Sequence, residues 1–413
     1  MPTNIADNGI DETGIARIDV NDVERLSTHK LKTGDIVFSR RGDVTKNALI
    51  REREAGWLCG TGCLKVRLGS EIIASSKFIS HCLRQPDTKE WLIRHAVGAT
   101  MPNLNTGILS AVPILLPPIA TQQEIADLLD SFDDRITLLR ETNTLLEQIA
   151  QTIFKSWFVD FDPVRAKQEG RMPEGMDEET AALFPDSFEE SELGMVPRGW
   201  KVGVLGDVTQ TSRRQIQASD LDASLNYVGL EHIPRKSLGL ATWGKADALE
   251  SAKAAFNEGD ILFGKLRPYF HKVVIAPFDG VCSTDILVCQ PAQAKFHGFC
   301  SMHLSSESLI TYADRLSNGA KMPRTSWKDI AAYPIPIPPM ELANTFNEMT
   351  KPMISRIIHN IHQAQILTDL RDTLLPRLIS GKLRLPEAEA DDDLADPFQR
   401  DRDTGRTIDL SDL

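Results

Sequence analysis

The chain has 413 residues, with 46 Lys and Arg against 58 Asp and Glu, 41% hydrophobic residues and six cysteines. That length accommodates two to four domains, each able to bury a core, and a net charge of −12 excludes a uniformly basic coat. The acid is local, however: residues 1–120 and 200–340 each hold 15 basic and 13 acidic residues, so nucleic-acid binding by either block stays open. The most apolar stretch, 108–120, carries three prolines and is too short for a membrane span. The polar N-terminus is no secretory signal, and Cys59, Cys63, Cys82, Cys282, Cys289 and Cys300 show no metal spacing. These features point to a cytoplasmic protein with reduced thiols, no metal site and no membrane.

In chain order, the first marked element is Gly34-Asp35-Ile36-Val37-Phe38, a turn entering an apolar strand, followed by Arg40, Arg41 and Lys46. Gly98-Ala99-Thr100-Met101-Pro102 and Pro113-Ile114-Leu115-Leu116-Pro117-Pro118 come next. A helical pattern follows, with Ile125, Leu129, Phe132, Ile136, Leu139, Asn143, Leu146, Ala150, Ile153 and Trp157 at alternating spacings of four and three. That is a heptad seam wanting a partner helix. Residues 160–196 are rich in Pro, Gly and acid and read as a linker.

The series then repeats. Gly259-Asp260-Ile261-Leu262-Phe263 stands 225 residues after its first copy, while Gly319-Ala320-Lys321-Met322-Pro323 and Pro334-Ile335-Pro336-Ile337-Pro338-Pro339 each stand 221 after theirs. Short apolar runs at 261–263, 273–275 and 286–288 suit strands, so each copy is mixed α and β. After the second Gly-Asp come Lys265, Arg267, Tyr269, His271 and Lys272, with Lys321 and Arg324 at the later mark. The second helical pattern carries Ile357, Asn360, Leu367 and Leu374 on the first seam's register. Thr350 and Arg371 break this seam, and Pro352 and Pro376 should kink or interrupt the helix. The simplest arrangement pairs the two helices, with Asn143 and Asn360 available to fix register. Residues 386–413, with ten acidic and three basic residues, read as a disordered tail.

Catalytic signatures are wanting. Gly259 to Lys265 fits GxxxxGK, but Leu266 stands where a phosphate loop needs Ser or Thr for magnesium. Basic and aromatic residues gather instead after each Gly-Asp turn, where Arg and Lys can pair with phosphates or guanine edges.

Several stretches together resemble the specificity subunits of type I restriction-modification systems. LPPIATQQEIADLLDSFDDRITLLRETNTLLEQIAQTIFKSWFVDFDPV is similar to their central helical region, and PIPIPPMELANTF with LLPRLISGKLRL to their distal one. PRGWKVGVLGDV (197–208) resembles the opening of a target recognition domain, and GDILFGKLRPYFHK (259–272) its strand motif. The resemblance implies an α+β chain: two mixed α/β target recognition domains separated by two long helices forming an antiparallel coiled coil. The expected divisions are a first recognition domain over 1–118, a central helical region over 119–159, a linker over 160–196, a second recognition domain over 197–339, a distal helical region over 340–385 and an acidic tail over 386–413.

The implied role is noncatalytic reading of double-stranded DNA at a split target. Two methyltransferase subunits would dock on the helices, and motor-nuclease subunits would join for cleavage. This chain would bind no cofactor, leaving S-adenosylmethionine, ATP and magnesium to its partners. The candidate DNA contacts are Arg40, Arg41, Lys46, Lys265, Arg267, Tyr269, Lys272, Lys321 and Arg324. One departure stands out: the PxGWxxxxLGD opening has no counterpart before Gly34, so the first domain is either naturally shorter or truncated at its start. Two other readings remain: a coiled-coil adaptor with two protein-binding domains, and an orphan or inactive specificity subunit.

Overall fold

The computed structural model describes residues 1–385, except 7, 13, 70–72, 99–100, 248, 318 and 320–321, together with 407–409. After α1 (Val20–Arg25), strands β1 (Ile36–Ser39), β2 (Asn47–Leu49) and β3 (Cys63–Val66) precede helices α2 (Ser76–Leu83), α3 (Pro86–His95) and α4 (Thr106–Ser110). Strand β4 (Pro113–Leu115) leads into α5 (Ile119–Phe158), a helix of 40 residues. Next come α6 (Asp162–Gln168), α7 (Glu178–Ala182) and a hairpin of β5 (Phe188–Ser191) and β6 (Gly194–Pro197). The following strands are β7 (Lys201–Val204), β8 (Thr209–Thr211), β9 (Gln215–Ile216), β10 (Asn226–Val228), β11 (Gly244–Lys245), β12 (Lys253–Phe256), β13 (Ile261–Gly264), β14 (Val273–Ile275), β15 (Gly280–Cys282) and β16 (Ile286–Pro291). Helices α8 (His297–Leu304), α9 (Glu307–Arg315) and α10 (Trp327–Ala331), strand β17 (Pro334–Ile337), helix α11 (Met340–Ile379) and strand β18 (Thr407–Asp409) complete the chain.

Two compact units result, Met1–Arg135 with Leu367–Leu413, and Ile136–Ile366. The repeat seen in sequence extends to every later element: α2, α3, α4, β4 and α5 begin 221 residues before α8, α9, α10, β17 and α11. Sheet register repeats too. Ile36 lies opposite Leu49 and Val66 in the order β2-β1-β3, and Ile261 lies opposite Ile275 and Cys289 in β14-β13-β16. The second copy adds β8 to that sheet and carries a further sheet, β11-β10-β15-β12-β9. Strands β1 and β13 are buried along their whole length, so GxxxxGK is a core strand and not a phosphate loop.

Both long helices bury a stripe. On α5, Ile125, Leu129, Ile136, Leu139 and Asn143 are buried, and Phe132, Leu146 and Ile153 half-buried; on α11, Ile357 and Asn360 are buried, and Leu367 and Leu374 half-buried. The stripe is wider than two residues in seven, because Gln122, Ala126, Asp133, Glu147 and Phe154 are buried as well. Helix α11 runs unbroken through Pro352 and Pro376, contrary to the expected interruption. Both prolines and the residues four before them, Glu348 and Asp372, are exposed, so water can satisfy the carbonyls that lose their partners.

Thr350 and Arg371 are not gaps in the stripe but buried members of it. Thr350 donates to the Phe346 carbonyl at 2.9 Å, and Arg371 donates to Asp133 Oδ1 at 2.5 Å. In the second unit Asn360 Nδ2 donates to Asn143 Oδ1 at 2.8 Å.

Two expectations about connectors also change. The stretch 160–196 is folded: Phe161, Val164 and Phe184 are buried, with Phe184 edge-on to Trp157 and Phe161 edge-on to Trp200. Helices of seven and five residues are too short to show periodicity, which is why composition alone dominated the reading. In the acidic tail, Thr407–Asp409 pair antiparallel with β4; the rest of 386–413 lies outside the described residues. All six cysteines are unpaired, five of them buried, and no described helix is long and apolar enough to cross a membrane.

The first unit holds a buried charge network. Asp133 Oδ2 accepts from Arg84 Nη2 at 2.8 Å and Asn8 Nδ2 at 3.1 Å, while Arg371 takes the other oxygen. Burial alone would raise this carboxyl, but Arg84 and Arg371 hold its pKa at about 2. His81 donates through Nε2 to Asp130 at 2.9 Å, its Nδ1 faces Arg84, and burial lowers its pKa. His81, Asp130 and Asp133 could together reach one metal ion, yet their oxygens face cationic donors that repel one. Replacing Asp133 by Ala leaves two arginines buried and unpaired, so urea unfolding should show a loss of about 3–5 kcal/mol. The carboxylate's contribution is full above the ordinary pKa near 4 and is lost as pH falls to about 2. Wild type should therefore lose more stability across that window than Asp133→Asn.

Candidate nucleic-acid interface

The Gly-Asp turn is built alike in the two copies. Gly34 and Gly259 take φ of 88° and 85°, a left-handed conformation open to glycine. The Asp then turns back: Asp35 accepts the Lys32 N–H and Asp260 the Asn257 N–H, each at 2.8 Å. Their remaining capacity is filled inside the domain, Asp35 by a two-pronged contact from Arg67 at 2.6 Å and Asp260 by Gln290 at 2.8 Å. Neither aspartate is left to face a ligand.

The strand leaving each turn delivers its first basic residue to the second sequence mark. Leu104 N–H donates to the Arg40 carbonyl at 3.0 Å, and Thr325 N–H donates to the Lys265 carbonyl at 3.0 Å. Bridges Arg41 to Asn103 and Leu266 to Arg324 continue these contacts. Gly98 and Gly319 both have φ of 110°, and a Cβ there would stand 2.7 and 3.0 Å from the carbonyl oxygens of Met101 and Met322. Two motifs some 60 residues apart thus meet in one loop cluster, once per domain.

In the first domain Arg41 and Lys46 are exposed and Arg40 is half-buried, its Nε having no protein acceptor. In the second, Lys265 and Arg267 are half-buried, and Tyr269 is 50% exposed. None of Arg40, Arg41, Lys46, Lys265 and Arg267 enters an ion pair with the described residues. Arg267 and His271, at φ 51°, are left-handed without being glycine and bracket the turn Pro268–Phe270. Such conformations cost about 1 kcal/mol or more each and persist where surrounding structure imposes them. Here the Arg267 N–H donates to the Pro323 carbonyl at 2.7 Å, and His271 Nε2 bonds the Ser305 carbonyl at 2.8 Å.

The sequence reading missed Arg235. Its guanidinium lies 4.1 Å over the Phe270 ring and Arg267 lies 5.9 Å from the same ring, a stack that no motif spacing signals. Two of the sequence candidates are already engaged within the domain. Lys272 donates to the Leu230 carbonyl, with burial and nearby Arg235 lowering its pKa, and Arg324 pairs with Asp285 at 3.0 Å. Lys321 lies outside the described residues. Glycine should relieve the strain at position 267, so Arg267→Gly should keep its thermal midpoint within a few degrees of wild type. The same variant should weaken DNA binding in a mobility-shift titration. A large fall in midpoint would show that the arginine serves the fold.

The model for the type I restriction modification DNA specificity domain matches residues 6–148 and 197–367. Among curated relatives, the type I restriction enzyme MjaIX specificity subunit of Methanocaldococcus jannaschii is 27% identical over 76% of this chain and 70% of its own. The HindI specificity subunit of Haemophilus influenzae is 24% identical over 88% of this chain and 90% of its own. A type I S subunit from M. genitalium shares the fold, with a TM-score of 0.51 at 14% identity, covering 85% of this chain and 84% of that one. With both copies matched by the family's DNA specificity domain, this chain belongs to the type I restriction-modification specificity subunits, whose general role is recognition of DNA sequence.

Proposed function

We propose that this chain is the noncatalytic reader of a type I methyltransferase and endonuclease, each recognition domain taking one half of a split target. The observation that carries this reading is the loop cluster built twice, with the same backbone bonds at Arg40 and Lys265 but different side chains around them. A shared scaffold with divergent surfaces supports two specificities on one frame. Arg40, Arg41, Lys46, Lys265, Arg267 and Tyr269 are the proposed contacts, with Arg235 added. The long helices act as an antiparallel spacer and as the dock for two methyltransferase subunits, and motor-nuclease subunits join that assembly. S-adenosylmethionine, ATP and magnesium belong to those partners. The Asn143–Asn360 bond supports a fixed register between the helices, since a buried polar pair is satisfied in one alignment only.

The purified chain should therefore transfer no methyl group to DNA. Methyl transfer by the chain free of partner subunits would overturn the reading. Replacing both Lys265 and Arg267 by Ala should weaken binding by the methylating complex and lower its salt slope, or relax one half-site if they read bases. A protein-binding adaptor would show no such salt-dependent DNA binding.

The spacer has its own test. Four residues inserted between Glu141 and Thr142 add about 6 Å of helix, equal to one or two base pairs at about 3.4 Å each. Methylation mapped across the genome should show the same half-sites with a longer gap, more readily when Asn143→Leu removes the register lock. Methylation at altered half-sites with an unchanged gap would refute the spacer role.

A further inference from the structure

In the second domain, β17 has one neighbour, β7, which belongs to the opening stretch of that domain. The pairing sets Ile335 opposite Gly203 and Pro336 opposite Val202. Around it, Trp200 and Leu205 are buried in the core, and Asp207 closes the turn by accepting the Val204 N–H at 2.9 Å. In the first domain β4 is the counterpart of β17, residue for residue at an offset of 221. The sequence before Gly34 contains no match to that opening stretch.

The neighbour of β4 is β18, from the far end of the chain. Its pairing is antiparallel, as that of β7 is, and sets Ile408 opposite Ile114 and Thr407 opposite Leu115. Ile114 and Leu115 are the counterparts of Ile335 and Pro336, so Ile408 and Thr407 stand where Gly203 and Val202 stand. This register fixes an alignment, Arg406 to Leu413 on Lys201 to Val208, that owes nothing to sequence similarity. The residues then agree with it: Arg406 matches Lys201, Leu410 matches Leu205, Asp412 matches Asp207 and Leu413 matches Val208. Ile408 and Leu410 are also the apolar pair that an otherwise acidic terminus has no solvation reason to keep.

We propose that the C-terminal segment from Arg406 onward is the opening block of the first recognition domain, delivered from the other end of the chain. The repeat is thereby circularly displaced: the first domain begins with the last residues of the protein. The edge of β4, whose Ile114 is buried and Leu115 exposed, is the docking surface, and its occupant is this terminus. The acidic residues 386–405 then serve as the strap that returns the chain from α11 to β4.

Hydrogen–deuterium exchange on the full chain tests this without reference to DNA. Deleting residues 406–413 should speed exchange at the amides of β4 by about tenfold or more, leave β17 unchanged as the internal standard, and be reversed by a synthetic peptide of residues 400–413. The single substitution Ile408→Pro, which breaks strand pairing with less loss of chain, should act in the same direction. Paired residues on antiparallel strands lie within disulfide range, so Leu115→Cys with Thr407→Cys should form an intrachain bond under mild oxidation. Equal β4 exchange in the full and shortened chains would overturn the proposal. So would a disulfide in that double variant that forms only between two copies of the chain.

Discussion

One backbone hydrogen bond arranges each recognition surface: Leu104 to the Arg40 carbonyl in the first domain and Thr325 to the Lys265 carbonyl in the second. Through it, the end of a fully buried strand is held against a glycine-dependent turn that arrives some 60 residues later. The bond involves no side chain, so the residues around it are free to change without loss of the frame. Arg40, Arg41 and Asn103 in one copy stand where Lys265, Leu266 and Arg324 stand in the other. A family that must alter what it reads while keeping how it folds needs this separation of backbone from surface.

Charge is divided along the same line. Asp35 and Asp260 spend their oxygens on turn amides and on neighbours within the domain. Asp133 neutralises two arginines that burial would otherwise make costly. Lys272 and Arg324 are likewise satisfied internally. What is left over on the loop clusters is an unpaired set of cations, enough for phosphate contacts in a chain that is acidic as a whole.

The sequence exposed the repeat, the heptad stripe and the absence of a phosphate loop, because each depends on local spacing. Burial at Ile125, Ile136 and Ile357 follows directly from that spacing. Long-range relations were hidden. Nothing near Arg235 announces that it stacks on Phe270, since the two are joined only by the fold. Thr350 and Arg371 looked like faults because a heptad template counts polar residues as breaks, whereas Arg371 is buried against a partner 238 residues away. The acidic stretch between α5 and β7 hid Phe161 and Phe184 among residues typical of linkers, and helices shorter than two turns gave no period to find.

The first compact unit takes its residues from both ends of the chain, Met1–Arg135 and Leu367–Leu413. Its sheet is made early during synthesis, yet Arg371, Leu375, Leu378 and the strand beside β4 are made last. At about 5–20 residues per second, a ribosome takes roughly ten to fifty seconds to cover the intervening stretch. During that interval Asp133 and Arg84 have no third partner, and the β4 edge stands open. The domain translated first is thus the one that finishes folding last, and a chain released early would expose an unpaired strand that marks it for the cell's proteases and chaperones.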